Sequence, residues 1–207
     1  MNMKNTNFQQ FCAKLGMPAL VPAIMLAQGC VSQGSSPADK SDFGMPQPGK
    51  AKVIFICPVS GGGLEVGVHD GEQLVAKLPY KTYGVYECNP GPHLFSGSFG
   101  NVAILNANLL PDRIYYVVAD FQARTFGVAW VKLVPLYPGG SEIKWQKLPE
   151  VLARMRKGVA VTPEIAERDR AGIGGYMERL NTYRDKPAAG LHTILPEYGQ
   201  TTPIFPR

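Results

Sequence analysis

Between residues 51 and 148 the apolar residues come in short runs, each closed off by Gly, Pro, Asn or Asp, with no helical segment between them. A chain punctuated in this way buries its hydrophobic residues by stacking strands, because each run is too short for a packed helix. Lys52-Val-Ile-Phe-Ile-Cys57 is a continuous apolar run and suits a strand covered on both faces. Leu64, Val66 and Val68 alternate with Glu65, Gly67 and His69, the period of a strand with one wet face. Asp70-Gly71 supplies a hairpin turn before a strand over 73–78, and further strands are predicted over 82–87, 93–99, 102–109, 113–121 and 127–136. Ile143 and Trp145 alternate with polar neighbours and predict one more over 141–147. About eight or nine short strands with regular turn signals predict an all-β core, an antiparallel β-sandwich or partly open barrel. A parallel α/β enzyme sheet is not expected, since no helix separates the strands.

The N-terminus sets the expected compartment. Its first 29 residues hold Lys4 and Lys14 and no acid, and an apolar stretch over 15–27 ends in Leu26-Ala27-Gln28-Gly29-Cys30. A positive end, a short apolar segment and a small residue at the cut are the order of a secretory signal. Roughly thirteen apolar residues, interrupted by Pro18 and Pro22, fall short of the 20 or so that span a bilayer as a helix. The terminal Leu-Ala-Gln-Gly-Cys resembles the lipobox of bacterial lipoproteins, which implies cleavage before Cys30 and acylation (palmitate among the acyl chains) of its thiol. Val31 is not the Asp associated with inner-membrane retention, so the resemblance implies the periplasmic face of the outer membrane. Without lipidation, 1–29 reads as a plain secretory signal. Residues 31–50, rich in Ser, Gly, Pro and charge, read with Cys30 as a flexible tether.

Removing 29 of the 207 residues leaves 178, enough for one domain with a real core. The two leader lysines go with them, so 19 Lys and Arg stand against 16 Asp and Glu. A net charge of about +3 is too mild to point to nucleic acid. The excess sits in residues 141–207, with 11 bases and 8 acids. A solvated face accounts for it, and anionic headgroups or peptidoglycan would also suit it. Of the four cysteines, Cys12 leaves with the leader and Cys30 would carry lipid, so Cys57 and Cys88 remain. In an oxidising periplasm they are either a disulfide, closing a loop of about 30 residues and adding on the order of 3 kcal/mol, or two separately buried thiols.

The order of the motifs carries a resemblance. Val53 to Cys57 is followed by Pro58 and the small-residue loop Val59-Ser-Gly-Gly-Gly63; the Asp70-Gly71 hairpin, Asn89-Pro-Gly-Pro-His93 and Arg113-Ile-Tyr-Tyr-Val117 come after. Over residues 51–148 this order resembles the bacterial lipoproteins and secreted proteins grouped as domain of unknown function 2846. The resemblance implies a β-sandwich and assigns no activity, catalytic residue or ligand.

The C-terminal third departs from that family. Pro149 and Glu150 fit the first turn of a helix, with Arg154, Arg156 and Lys157 at its end before Gly158. A second helix starts with Thr162 as cap and Pro163 behind it, carries Ile165, Ala166, Tyr176, Met177 and Leu180, and is split by Gly172, Gly174 and Gly175. Beyond Tyr183, Pro187, Pro196, Pro203 and Pro206 predict an extended arm. Its Leu191, Ile194, Leu195, Ile204 and Phe205 suit packing on its own domain or on a partner.

Candidate chemistry is sparse. His69, His93 and His192 are the three histidines; the first two read as solvated side chains beside hairpin turns, and none has a Cys or carboxylate at metal-ligand spacing. Ser60-Gly61-Gly62-Gly63 lacks the Gly-Lys-Ser/Thr ending and following helix of a phosphate loop. No catalytic residue, metal or cofactor is expected. Tyr80 and Tyr83, with Lys77 and Lys81, form the one exposed patch expected to bind glycan or protein. These features point to a non-enzymatic, lipid-anchored outer-membrane protein acting as a structural or interaction module, with protein partners in an envelope assembly engaged by the C-terminal helices and arm. The alternative is a β-sandwich lipoprotein that binds a small molecule or glycan.

Overall fold

All seven residues of β1 (Ala51–Cys57) are buried, and the layers on its two faces define the architecture. Ala51, Val53, Phe55 and Cys57 point into the space between two sheets, where Phe55 meets Phe95 edge-on at 5.3 Å. Ile54 and Ile56 point the other way, into a second apolar cluster beneath non-strand chain. Alternation along the strand forces an unbroken apolar run when both faces are covered. The computed structural model describes residues 38–58, 65–99, 101–123, 129–140, 145–172, 178, 181–182 and 192–204. Residues 33–207 form one compact unit.

The other strands are β2 (Glu65–Asp70), β3 (Gln73–Pro79), β4 (Thr82–Cys88), β5 (Gly91–Phe99), β6 (Asn101–Leu109), β7 (Arg113–Ala123), β8 (Ala129–Leu136), β9 (Arg156–Lys157) and β10 (His192–Ile194). A first sheet of order β8-β7-β1-β4-β9 faces a second of order β10-β6-β5-β2-β3 as an open, sandwich-like pair and not a closed barrel. The sheets are mixed, which corrects the expected antiparallel arrangement: β7 runs parallel to β1, β9 to β4 and β10 to β6. Parallel neighbours need a long crossover. Here strands of the facing sheet provide it, because the chain places β2 and β3 opposite, returns as β4, places β5 and β6 opposite, and returns as β7 on the other flank of β1. The predicted strand over 141–147 is also corrected. Trp145–Lys147 is a 3₁₀ turn running into α1 (Leu148–Ala153), and 141–144 fall outside the described residues. Trp145 serves the outer cluster, edge-on to Tyr116 at 5.5 Å.

The outer layer over the first sheet begins with residues expected to be tether. The Asp39 carboxylate accepts from the Ser41 amide at 2.9 Å and caps a 3₁₀ turn, Lys40–Phe43, whose buried Phe43 ring lies 4.7 Å from that of Tyr83. Lys52, only 4 % exposed, donates its ammonium to the Gly44 carbonyl at 2.7 Å and pairs with Glu87 at 3.1 Å. A buried ammonium is costly unless its hydrogens are accepted, so Lys52 fastens the segment that satisfies it. Leu148 and Leu152 of α1, with Met155 beyond it, complete the layer.

Two later segments stitch the sheets together. On one side the Gly158 amide donates to the Tyr83 carbonyl at 2.7 Å in the first sheet, and the Val159 amide donates to the Lys77 carbonyl at 3.2 Å in the second. A Cβ on Gly158 would stand 2.6 Å from the Lys77 oxygen, so the seam admits only glycine. On the other side, β10 extends the second sheet beyond β6, and Gln200 and Ile114 exchange backbone hydrogen bonds of 2.8 and 3.0 Å at the first. Of the two packings open to the C-terminal arm, its described residues, 192–204, take the one on their own sandwich. Helix α2 (Pro163–Gly172) starts where its cap signal places it; residues 173–177, with Tyr176 and Met177, and Leu180 lie outside the described residues.

The edge strand β8 is protected by a side chain. Asn101 accepts from the Val131 amide at 2.7 Å and donates to the Val131 carbonyl at 3.0 Å, so its amide takes the place of a strand partner. Asn101→Ala leaves both buried groups unmet and should lower the unfolding free energy by about 1–3 kcal/mol in urea titrations. Asn108→Ala, at an exposed position of the same strand, should change it by no more than about 0.5 kcal/mol.

Candidate functional site

Where the chain turns from β3 to β4 it also changes sheets, and the corner stands opposite α1. Lys81 takes a left-handed φ of 55° at its tip, and the Thr82 hydroxyl donates back to the Pro79 carbonyl at 2.6 Å. This tight turn leaves Tyr80 47 % exposed. Across from it stand Lys147, Glu150, Val151, Arg154 and Met155, and with Pro58 they line a cleft of about 460 Å³. The Arg156 amide donates to the Lys81 carbonyl at 3.1 Å, so β9 sets the separation of the walls. Among the described residues, three cations and one carboxylate line the cleft. Lys81, Lys147 and Arg154 are exposed, whereas Pro58, Val151 and Met155 are half-buried or buried. Cationic tips thus surround an apolar floor.

The expected patch of Lys77, Tyr80, Lys81 and Tyr83 does not assemble as a unit. Tyr83 is fully buried; its hydroxyl donates to Asp42 at 2.8 Å and accepts from the Asp39 amide at 3.1 Å. Burial first, and then the Asp42 bond, push the phenol above its ordinary pKa. Lys77 is engaged by Glu65 at 2.7 Å. Only Tyr80 and Lys81 remain together at the surface, because Tyr83 lies inside β4 under the Lys40–Phe43 turn.

The expected choice at Cys57 and Cys88 resolves against a bond between them. Cys57 registers with Thr82 and Cys88 with Ala51, six positions along β1, which separates them by about 20 Å. A disulfide tolerates about 7 Å between Cα atoms. Both side chains belong to the core between the sheets. Cys30 lies outside the described residues.

The histidines depart most from their sequence reading, since neither His69 nor His93 is a solvated turn residue. His93 Nδ1 is 2.7 Å from the Asp70 carboxylate, Nε2 is 2.8 Å from the Asn89 carbonyl, and the ring stacks on Phe95 at 5.5 Å. The Tyr86 hydroxyl donates to the same Asp70 oxygen at 3.1 Å. The Asp70 bond, the Cys88 thiol and the Asn89 carbonyl push the imidazole pKa up to about 10 against partial burial. Cys88, His93 and Asp70 are the residue types of a thiol catalyst. An imidazolium that donates both N–H groups, however, has no lone pair with which to take a proton. The set is a clasp that joins β2 to β5 and, through Tyr86, to β4 in the other sheet. His69, 2 % exposed at its side chain, meets Asp169 of α2 at 2.6 Å and pins the helix to β2. These carboxylates lie 23 and 100 residues from their histidines, separations that a search by local spacing does not see. His192 lines a second cleft of about 370 Å³ with Thr193, Tyr137 and Tyr198, and the two tyrosine rings stack at 3.7 Å.

Among the described residues, no group of three or more His, Cys, Asp or Glu is placed to hold a metal ion, and no helix is long and apolar enough to cross a membrane. No family model matches the chain, and no curated protein matches it. Neither comparison supports the expected resemblance to domain of unknown function 2846.

The His93 clasp has a testable pH dependence. A histidine raised from 6.5 to about 10 gives its full stabilisation below 6.5 and loses it as the pH rises through 10. The stability difference between the native chain and His93→Gln should therefore be larger at about pH 6 than at about pH 10 in urea titrations. A difference independent of pH would contradict the clasp.

Proposed function

We propose that this chain is a lipid-anchored envelope protein on the periplasmic face of the outer membrane, in which Cys30 carries the anchor and the two-sheet unit is a non-enzymatic module that presents surfaces to other envelope components. The observation that carries this reading is the spacing at the N-terminus. Leu26-Ala27-Gln28-Gly29-Cys30 is separated from Ala38 only by residues 31–37, and Ala38 already packs on the outer cluster. Seven residues reach at most about 25 Å. An anchor at Cys30 would thus hold the sandwich close to the bilayer on a tether much shorter than the 31–50 that composition suggests.

The non-enzymatic reading is supported by the commitment of His69 and His93 to carboxylates that fasten elements together. Because residues 192–204 complete both sheets, partner surfaces are sought on the sandwich and its corners rather than on a detached arm. Glycan binding is the second reading, favoured by the cleft at Tyr137, His192, Thr193 and Tyr198, where aromatic faces and polar tips converge as sugar recognition requires.

The intact mass of protein extracted from membranes in detergent tests the first reading. It should equal the chain cut before Cys30 plus acyl groups, and incorporation of labelled palmitate should vanish in Cys30→Ser. An unacylated mass would overturn the anchor.

A further inference from the structure

We propose that the cleft between the β3–β4 corner and α1 is a docking face for the anionic lipid headgroups of the bilayer in which the protein is anchored, an inference that rests on the lipoprotein reading of Cys30. Three observations converge on it. The first is charge: among the described residues, Lys81, Lys147 and Arg154 line the cleft with Glu150, and exposed Arg156 stands beside Thr82 in β9. Lys157 does not add to this field, because Asp42 holds its ammonium at 2.8 Å.

The second observation is Tyr80, an exposed aromatic at the tip of the corner next to Lys81. An amphipathic ring flanked by cations is the residue pattern found at the headgroup level of membranes. The apolar floor of Pro58, Val151 and Met155 is equally suited to the glycerol and upper acyl region beneath a headgroup.

The third is position. The described chain begins at this same corner: the Asp39 amide donates to the hydroxyl of Tyr83, two residues beyond Lys81, and Asp42 bonds both Tyr83 and Lys157. In sequence, residues 31–37 separate Ala38 from Cys30. The first described residues and the cationic cleft thus lie at one end of the sandwich, where a negative surface attracts each basic residue individually.

The test uses residues 30–207 carrying Cys30→Ser, which retain the whole compact unit and bear no lipid. Co-sedimentation should show binding to vesicles of phosphatidylcholine mixed with phosphatidylglycerol, little binding to phosphatidylcholine alone, and weakening with added salt. Combining Lys81→Glu, Lys147→Glu and Arg154→Glu should cost on the order of 100-fold in affinity, whereas Lys132→Glu on distant β8 should cost nothing. If the triple variant does not fold, Lys147→Gln and Arg154→Gln, at exposed sites, should each lose about fivefold. Equal binding to both vesicles, unchanged binding by these variants, or displacement by millimolar inorganic phosphate would overturn the proposal. Because every protein in the series lacks the thiol at position 30, failure here leaves the anchor reading standing, and an unacylated native chain leaves this measurement intact.

Discussion

Burial of β1 on both faces is the constraint from which the rest of the structure follows. A two-sheet sandwich covers one face of each strand and leaves the other to water, yet Ile54, Ile56, Ile114, Tyr116 and Val118 all point away from the second sheet and are buried. A third layer has to exist. It is assembled from pieces that look dispensable in sequence: the Lys40–Phe43 turn, the 3₁₀ turn at Trp145, helix α1 and Met155, with Ile204 against the same cluster. Each side chain in that layer removes apolar surface worth about 1.5–3 kcal/mol from water, so the flanking chain belongs to the fold.

This explains why strand positions were legible in the residues and their pairing was not. Alternation and turn chemistry mark a strand locally, and β1 to β8 form within about two residues of their expected bounds. Partner choice is a long-range property. The parallel β1–β7 pair depends on two excursions into the opposite sheet, and no local pattern records them. Phe43 was the available signal that 31–50 is not all tether, a lone large aromatic within a polar stretch, and the continuous apolar run of β1 was the signal that something must cover it. The candidate site was legible in part. Tyr80 and Lys81 sit at a turn, where exposure follows from local geometry, whereas Tyr83 is buried by chain 40 residues away. Lys147 and Arg154 join Lys81 only because β9 docks beside β4.

The same stitching that closes the sheets determines which surfaces are left for function. The seam through Gly158 and the strap through Gln200 occupy opposite flanks, Asn101 covers the edge of β8, and the histidine clasps lock β5 and α2 in place. Among the surfaces left are the corner beyond β3, with its cationic cleft, and the cleft beside Tyr137 and His192.

Whether the described terminal segments are integral layers of the sandwich is decided by native-state hydrogen exchange followed residue by residue. The amides of Gly158, Val159, Ile114 and Gln200 should exchange slowly, with protection approaching that of the β1 amides, because they close hydrogen bonds between elements that unfold together. Exchange of the Gly158 and Gln200 amides at the rate of an unstructured chain, with β1 still protected, would contradict it.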